Sequence, residues 1–437
     1  MQAAQDPTGA AIPMRSARDR AVLGFFVSQL VALIYLQKFA VPAGAFQIAV
    51  LIPIIFLGIA LMALSMRLQI SAVRLVIYAA FFASIVFSQS QVKIPYSAPS
   101  MLITMLMPLP FVFVWKVDSE MHLTIMKTFQ KLMLIPIAFV LIQLLWQVAF
   151  GMGNMPTLTK LFPAQFLRQG FNYEGFIKFG DPFRRPNGMF LLEPSFISCF
   201  IGTALLIELT FFRRIFWMGF FAAALIATFA ATGQLLTLIA APLLLHKQSP
   251  RVLAAGALAA ALGAVAMVAM GKGVSFDRIY ELGSANTSGY LRMVAPLIQL
   301  GDALQRHDVL FTGAGAGNVD HTRSSVWPIT KLMYEYGFMT TFTFVGLLIV
   351  SMWKSPALAL AIGLFMVINF VGGYLQEPAV MWLIALLCCM MKVSDEPPRE
   401  TRLSRRTGLV PGMERGAPAF APGVGQPAAT AARDVAA

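Results

Sequence analysis

Arg184-Arg185-Pro186-Asn187-Gly188 stands immediately before an apolar run, and Glu193 follows within that run. Two adjacent guanidinium groups present planar forks of N–H donors that suit a multiply charged oxyanion such as a pyrophosphate. A charge placed inside hydrocarbon costs roughly 2.5–3.5 kcal/mol even on the mild insertion scales, so Glu193 is expected to be paired or functional. If the segment is helical, Arg185 and Glu193 lie about two turns apart, roughly 12 Å along the axis. That spacing leaves room for an anion on Arg185, with Arg184 in support, and for a hydroxyl nucleophile beside Glu193 as general base. An ion pair inside a helix bundle, or arginines reaching back to an interface, is the competing account of the same residues.

A second set of such residues lies further along. Thr287 or Ser288 is a candidate N-cap for a helix running to about Gln305, with Arg292 in its first turn, where free N–H groups favour anions. Its apolar positions Leu291, Val294, Leu297, Ile298 and Leu304 fit a helix lying along a membrane surface, which leaves an incidental role for Arg292 open. Gly313-Ala314-Gly315-Ala316-Gly317-Asn318 lacks the Gly-Lys-Ser/Thr ending of a nucleotide loop and reads as a tight turn allowing close backbone approach. Glu335 is a second carboxylate candidate for catalysis, and Glu377 a third, more peripheral one. His307 and His321 have no metal-ligand spacing, and no Asp-x-Asp pair is present outside the spans, so neither a metal nor a cofactor is expected. The aromatic residues between Phe162 and Phe183 suit either sugar stacking or anchoring at a membrane interface.

What must position these residues is a set of membrane helices. Apolar residues make up 58% of the 437-residue chain and charged residues only 12%, about half the usual charge of a soluble domain. About twelve spans are expected, at 21–40, 43–64, 72–89, 98–115, 132–151, 190–211, 216–232, 234–246, 251–271, 334–353, 356–373 and 377–392. The pair 216–246 is also compatible with a broken helix or a hairpin around Thr232-Gly233-Gln234. Basic residues recur at alternate connections: Arg67 and Arg74, then Lys116, Lys127 and Lys131, then Arg213 and Arg214, then Lys247 and Arg251, then Lys354. This is the pattern of cytoplasmic loops, and it puts both termini in the cytoplasm. The net charge of +13 is therefore an orientation signal and not a sign of nucleic acid. The expected organisation is a tail over 1–20, a membrane domain over 21–393 with long outer loops at 152–189 and 272–333, and a disordered Pro/Ala/Gly/Arg-rich tail over 394–437. No cleaved signal peptide is expected, because 21–40 is long enough to remain as a span. Cys199, Cys388 and Cys389 fall in apolar spans and imply no disulfide framework.

The motifs, taken together, resemble those of the Wzy-type polysaccharide polymerases and the related O-antigen ligases. The resemblance rests on Arg185-Pro-Asn-Gly188-Met-Phe190, Ser288-Gly-Tyr-Leu-Arg292, Gly313-Ala-Gly315-Ala-Gly317 and Glu335-Tyr-Gly337. It implies an all-α polytopic, GT-C-like protein of the bacterial inner membrane. The implied reaction is a metal-independent inverting glycosyl transfer that joins undecaprenyl-pyrophosphate-linked repeat units at the periplasmic face into exopolysaccharide or O-antigen. Flippase and chain-length or export proteins are the implied partners, besides membrane lipid. Glu193-Pro194-Ser195 stands where ligases more often carry Asn-Pro, and His321 falls a few residues earlier than the ligase histidine. Both departures favour a polymerase over a ligase. A transporter or flippase would line a path through many spans with charge and show repeated halves, and neither pattern is present.

Overall fold

The computed structural model describes residues 17–43, 46–65, 67–151, 154–171, 173–177, 183–245, 283, 288–319, 327–370 and 377–393. The expected span 251–271, His321, residues 1–16 of the expected N-terminal tail and the C-terminal tail 394–437 lie outside the described residues. The order of elements is α1 (Ala17–Tyr35), a hairpin of β1 (Ala40–Ala43) and β2 (Phe46–Ala49), α2 (Leu51–Leu64), α3 (Ala72–Gln91), α4 (Ala98–Leu106), β3 (Trp115–Val117) and α5 (Ser119–Phe150). There follow α6 (Pro194–Ile207), α7 (Ile215–Ala227), α8 (Ala231–Ala240) and α9 (Pro242–Leu245). The last group is α10 (Ser288–Met293), α11 (Ala295–Gln305), α12 (His307–Thr312), α13 (Pro328–Met352), α14 (Leu358–Phe370), α15 (Pro378–Ile384) and β4 (Met391–Val393). Helices occur in every other expected apolar segment. Among the described residues, four helices are long and apolar enough to cross a membrane: 72–91, 119–150, 194–212 and 328–352.

Several boundaries differ from those expected, each for a local reason. The first helix stops at Tyr35, so Lys38 lies in the turn beyond it, and the β1–β2 hairpin occupies the start of the expected span 43–64. The segment 98–115 is helical only to Leu106, because Pro108 and Pro110 remove two backbone donors and leave a short 3-10 turn over Leu109–Val112. The break in 216–246 falls at Thr228–Ala230, where Phe229 adopts φ 50, a few residues before the Thr232-Gly233-Gln234 site expected for it.

Two helix interruptions follow one rule. Pro136 inside α5 has no N–H for the carbonyl of Leu132, and the Tyr35 hydroxyl donates to that carbonyl at 2.6 Å. Pro296 likewise vacates the carbonyl of Arg292, and the Trp327 indole N–H donates to it at 2.7 Å. Hence no single helix runs from Ser288 to Gln305. It divides at Val294, and Arg292 stands in the last turn of α10, not in a first turn with free N–H groups.

The central helix is α6, buried along its whole length. It packs closely on α8 because Gly233 replaces a side chain at the crossing. A Cβ there would stand 1.9 Å from the Ser198 carbonyl oxygen, and the Gly233 N–H instead donates to Ser198 Oγ at 2.8 Å. At one end of the bundle, Arg74 donates to the carbonyls of Phe111, Ser351 and Cys389 at 3.2, 2.9 and 2.8 Å. Beside it β3 pairs in parallel with β4, and the Trp115 indole donates to the Arg67 carbonyl at 3.1 Å. Arg67, Arg74 and Lys116, expected on one side, therefore lie together at this end, with Lys392 beside Lys116.

Candidate functional site

The segment 184–193 is built on α5. Gln143 and Gln147 lie one turn apart on that helix, both with 0% exposure, and face the incoming loop. Gln147 Oε1 accepts from the Arg184 N–H at 2.8 Å, and its Nε2 donates to the Arg184 carbonyl at 3.1 Å. Gln143 Oε1 accepts from both the Asn187 and Gly188 N–H groups at 3.0 Å, and its Nε2 donates to Asn187 Oδ1 at 3.1 Å. Asn187, itself fully buried, donates to the Tyr173 carbonyl at 2.8 Å. The chain turns at Gly188, with φ 65, where a Cβ would stand 2.9 Å from the Pro136 carbonyl oxygen.

Helix α6 starts only at Pro194, which is pre-set for a first helical position, and Glu193 is its extended N-cap residue. The expected helical spacing of Arg185 and Glu193 is therefore replaced by a turn, and Glu193 stands at the mouth of the span instead of within it. Ser195 Oγ donates to Glu193 Oε2 at 3.2 Å. Arg292, from the second long loop, places Nη2 at 3.7 Å from the same oxygen. Two segments far apart in sequence thus meet at this carboxylate.

The first long loop and its neighbours carry further charges. Arg184 pairs with Glu174 at 2.7 Å and covers the Phe176 ring at 5.0 Å. Arg185 donates through Nη2 to the Ile177 carbonyl at 2.7 Å. Arg168 pairs with Glu377, the N-cap of α15, at 2.6 Å and lies over Phe171 at 4.6 Å. The Tyr173 hydroxyl donates to the Arg168 carbonyl. Tyr173 is pushed up to about 12 by burial, lowered by Arg168 and raised by Glu193 and Glu377, which places it in the field of both carboxylates. Lys38 is wholly enclosed, with Nζ 5.2 Å from the centre of the Tyr173 ring and no hydrogen-bond acceptor among the described residues. Burial pulls its ammonium down to about 7, against the raising effect of Glu174. Counted over these residues, Lys38, Arg168, Arg184, Arg185 and Arg292 outnumber Glu174, Glu193 and Glu377 by two charges when Lys38 is protonated.

Glu335 belongs to a different set of contacts. It is fully buried and pairs through one carboxylate oxygen with Lys331, one turn earlier, at 2.7 Å. The helix is kinked at Gly337, with φ 80, and the carbonyls freed there are taken by the glycine-rich turn. Ala314 N–H donates to the Tyr334 carbonyl at 2.7 Å, and Gly315 N–H to the Glu335 carbonyl at 3.1 Å. The glycine-rich turn is thus a close backbone-to-helix contact.

Lys38, Arg168, Tyr173, Glu174, Gln143 and Gln147 are the residues that sequence reasoning did not single out. Lys38 was hidden by its place at the end of an apolar window. The two glutamines carry a readable signal, polar amides spaced i, i+4 within a span, where each requires a partner.

No curated protein and no solved structure matches the chain. A family model, WcaD colanic acid polymerase, matches residues 23–320, well over half of the chain and including Lys38, Arg184, Arg185, Glu193 and Arg292. The chain therefore belongs to the WcaD colanic acid polymerase family, a Wzy-type polymerase family whose members are membrane enzymes of polysaccharide repeat-unit polymerisation.

Proposed function

We propose that the chain joins undecaprenyl-pyrophosphate-linked oligosaccharide repeat units at the periplasmic face of the bacterial inner membrane. The observation that carries this reading is the approach of Arg292 to Glu193, among loop residues whose surplus positive charge is two when Lys38 is protonated and one when it is not. A diphosphate diester carries two negative charges, so it suits that surplus. In the proposed step, an acceptor sugar hydroxyl attacks the anomeric carbon of the donor glycan. The carbon–oxygen bond to the lipid diphosphate breaks, the diphosphate leaves with the electron pair, and Glu193 takes the hydroxyl proton. Attack opposite the leaving group inverts the anomeric centre.

The leaving group is already stable at neutral pH, so the protein's work is to position it and to meet its developing charge. Arg185 and Arg292 take that role, with Arg184 supporting through its pair with Glu174. With guanidinium groups in this position the transfer is metal-independent. Glu335 is assigned to supporting the glycine-rich turn. The partners of the site are lipid-linked glycans and, along the same route, the flippase and chain-length or export proteins that deliver and remove them.

The test is replacement in a strain lacking the native copy. Arg185→Ala and Arg292→Ala should each abolish polymer, leaving single lipid-linked repeats, while membrane abundance stays within twofold of wild type. Polymer of normal length from both variants refutes the assignment. Long lipid-linked chains would instead indicate a transfer defect downstream of polymerisation.

A further inference from the structure

We propose that Gln143 and Gln147 are positioning residues for the diphosphate site, setting the backbone on which Arg184 and Arg185 stand. This rests on the reading that those arginines hold the lipid diphosphate. On its own side, among the described residues, the loop segment Arg184–Gly188 is held by one strand-like bridge, between Phe176 and Arg184, and by side-chain bonds of Arg184, Arg185 and Asn187 to residues 173–177. On the other side the two amides supply what a neighbouring strand would. Each offers an oxygen to loop N–H groups and an NH2 to loop carbonyls. Gln147 embraces Arg184 through both backbone atoms at 2.8 and 3.1 Å. Gln143 closes the Asn187–Gly188 turn and also donates to the Pro156 carbonyl at 2.9 Å.

The orientation of both amides is dictated by these partners, since a flipped amide would set NH2 against N–H and oxygen against carbonyl. Gln147 Nε2 donates as well to the Gln143 carbonyl at 3.2 Å, so the pair is tied to its own helix. An enclosed amide in a span is costly unless its hydrogen bonds are complete, and apolar packing would be the cheaper way merely to fill this face of α5. What the amides add is registry. They fix the height of two guanidinium groups along α5, and a displacement of about 1 Å at such a site costs up to a hundredfold.

The experiment uses the full chain in lipid nanodiscs and undecaprenyl pyrophosphate as the probe. Gln147→Ala should weaken binding about tenfold, the loss of roughly one well-made hydrogen-bonded contact with its orphaned partner. Gln147→Met, which keeps the volume, stands in where the alanine variant does not accumulate. Gln147→Glu should bind weakly at pH 8, where its second oxygen faces the Arg184 and Gln143 carbonyls. It should recover toward wild type at pH 5.5, where a protonated carboxyl donates. In an Arg184→Ala/Arg185→Ala background, Gln147→Ala should cause no further loss, since a residue acting through the arginines has nothing left to position. Wild-type affinity for the glutamine variants, or a loss that adds in full to that of the arginine variants, overturns this proposal alone. Wild-type affinity for the arginine variants themselves overturns the diphosphate reading and this proposal with it.

Discussion

Lys38→Met offers a test of the enclosed amine that does not depend on knowing the substrate. Methionine keeps the unbranched shape and removes the charge. Lysine ordinarily titrates near 10.5, and enclosure brings Lys38 to about 7. Between those values the unfolded chain holds a proton that the folded chain has released, so stability rises with pH across that window. Below about 7 both forms are charged and the whole cost of enclosure is borne. The gap of about 3.5 pH units corresponds to roughly 5 kcal/mol. At pH 6 nearly all of that is felt, while at pH 9 about 2 kcal/mol remains, so Lys38→Met should gain roughly 2.5 kcal/mol more at pH 6 than at pH 9. Changes in packing against Tyr173 are common to both conditions and cancel in the difference. The assay is equilibrium unfolding of the purified chain in detergent at the two pH values. An equal change at both, or a larger gain at pH 9, refutes the idea that enclosure pulls the ammonium well below its ordinary value.

Three further outcomes are expected. Gly313→Ala should lower the thermal midpoint and membrane yield by an amount corresponding to about 2–4 kcal/mol, because φ is 76 and the added Cβ would meet the Glu335 carbonyl oxygen at 2.3 Å; an unchanged midpoint would contradict the close contact. Lys331→Met should cost about 3–5 kcal/mol by leaving Glu335 enclosed without its partner, and Lys331→Met/Glu335→Met should regain most of it. If polymer returns with stability in the double variant, Glu335 is structural; a stable but inactive double variant would restore it as a candidate for the reaction. Trp327→Phe removes the donor to the Arg292 carbonyl and should reduce polymer output at unchanged abundance, with a stability loss of about 1–3 kcal/mol; full output would show that α10 needs no such tie.

The apolar segments were legible because hydropathy is additive along the chain and needs no knowledge of neighbours. Arg67, Arg74 and Lys116, grouped by charge alone in the sequence, lie near one another beside the β3–β4 pair. The location of Glu193 was not legible. Met189, Phe190, Leu191 and Leu192 are as apolar as a span, yet their conformation is decided by Gly188 and by Pro194, so the helix begins after them. Hydropathy reports what a residue prefers to touch and is silent on where the backbone turns. Arg292 illustrates the same limit. Pro296 was visible in the sequence, but the carbonyl it vacates only gains meaning once Trp327 is seen to answer it. The amide pair on α5 was visible too, and its partners were not, because they arrive from a loop some forty residues away.

The Arg74 guanidinium fastens three chain segments that are remote in sequence. Prising them apart would break three charge-assisted bonds together, each worth roughly 1.5–3 kcal/mol. That end of the protein is consequently a rivet. Any parting of these segments must begin away from this guanidinium, as the blades of a fan spread from a fixed pin.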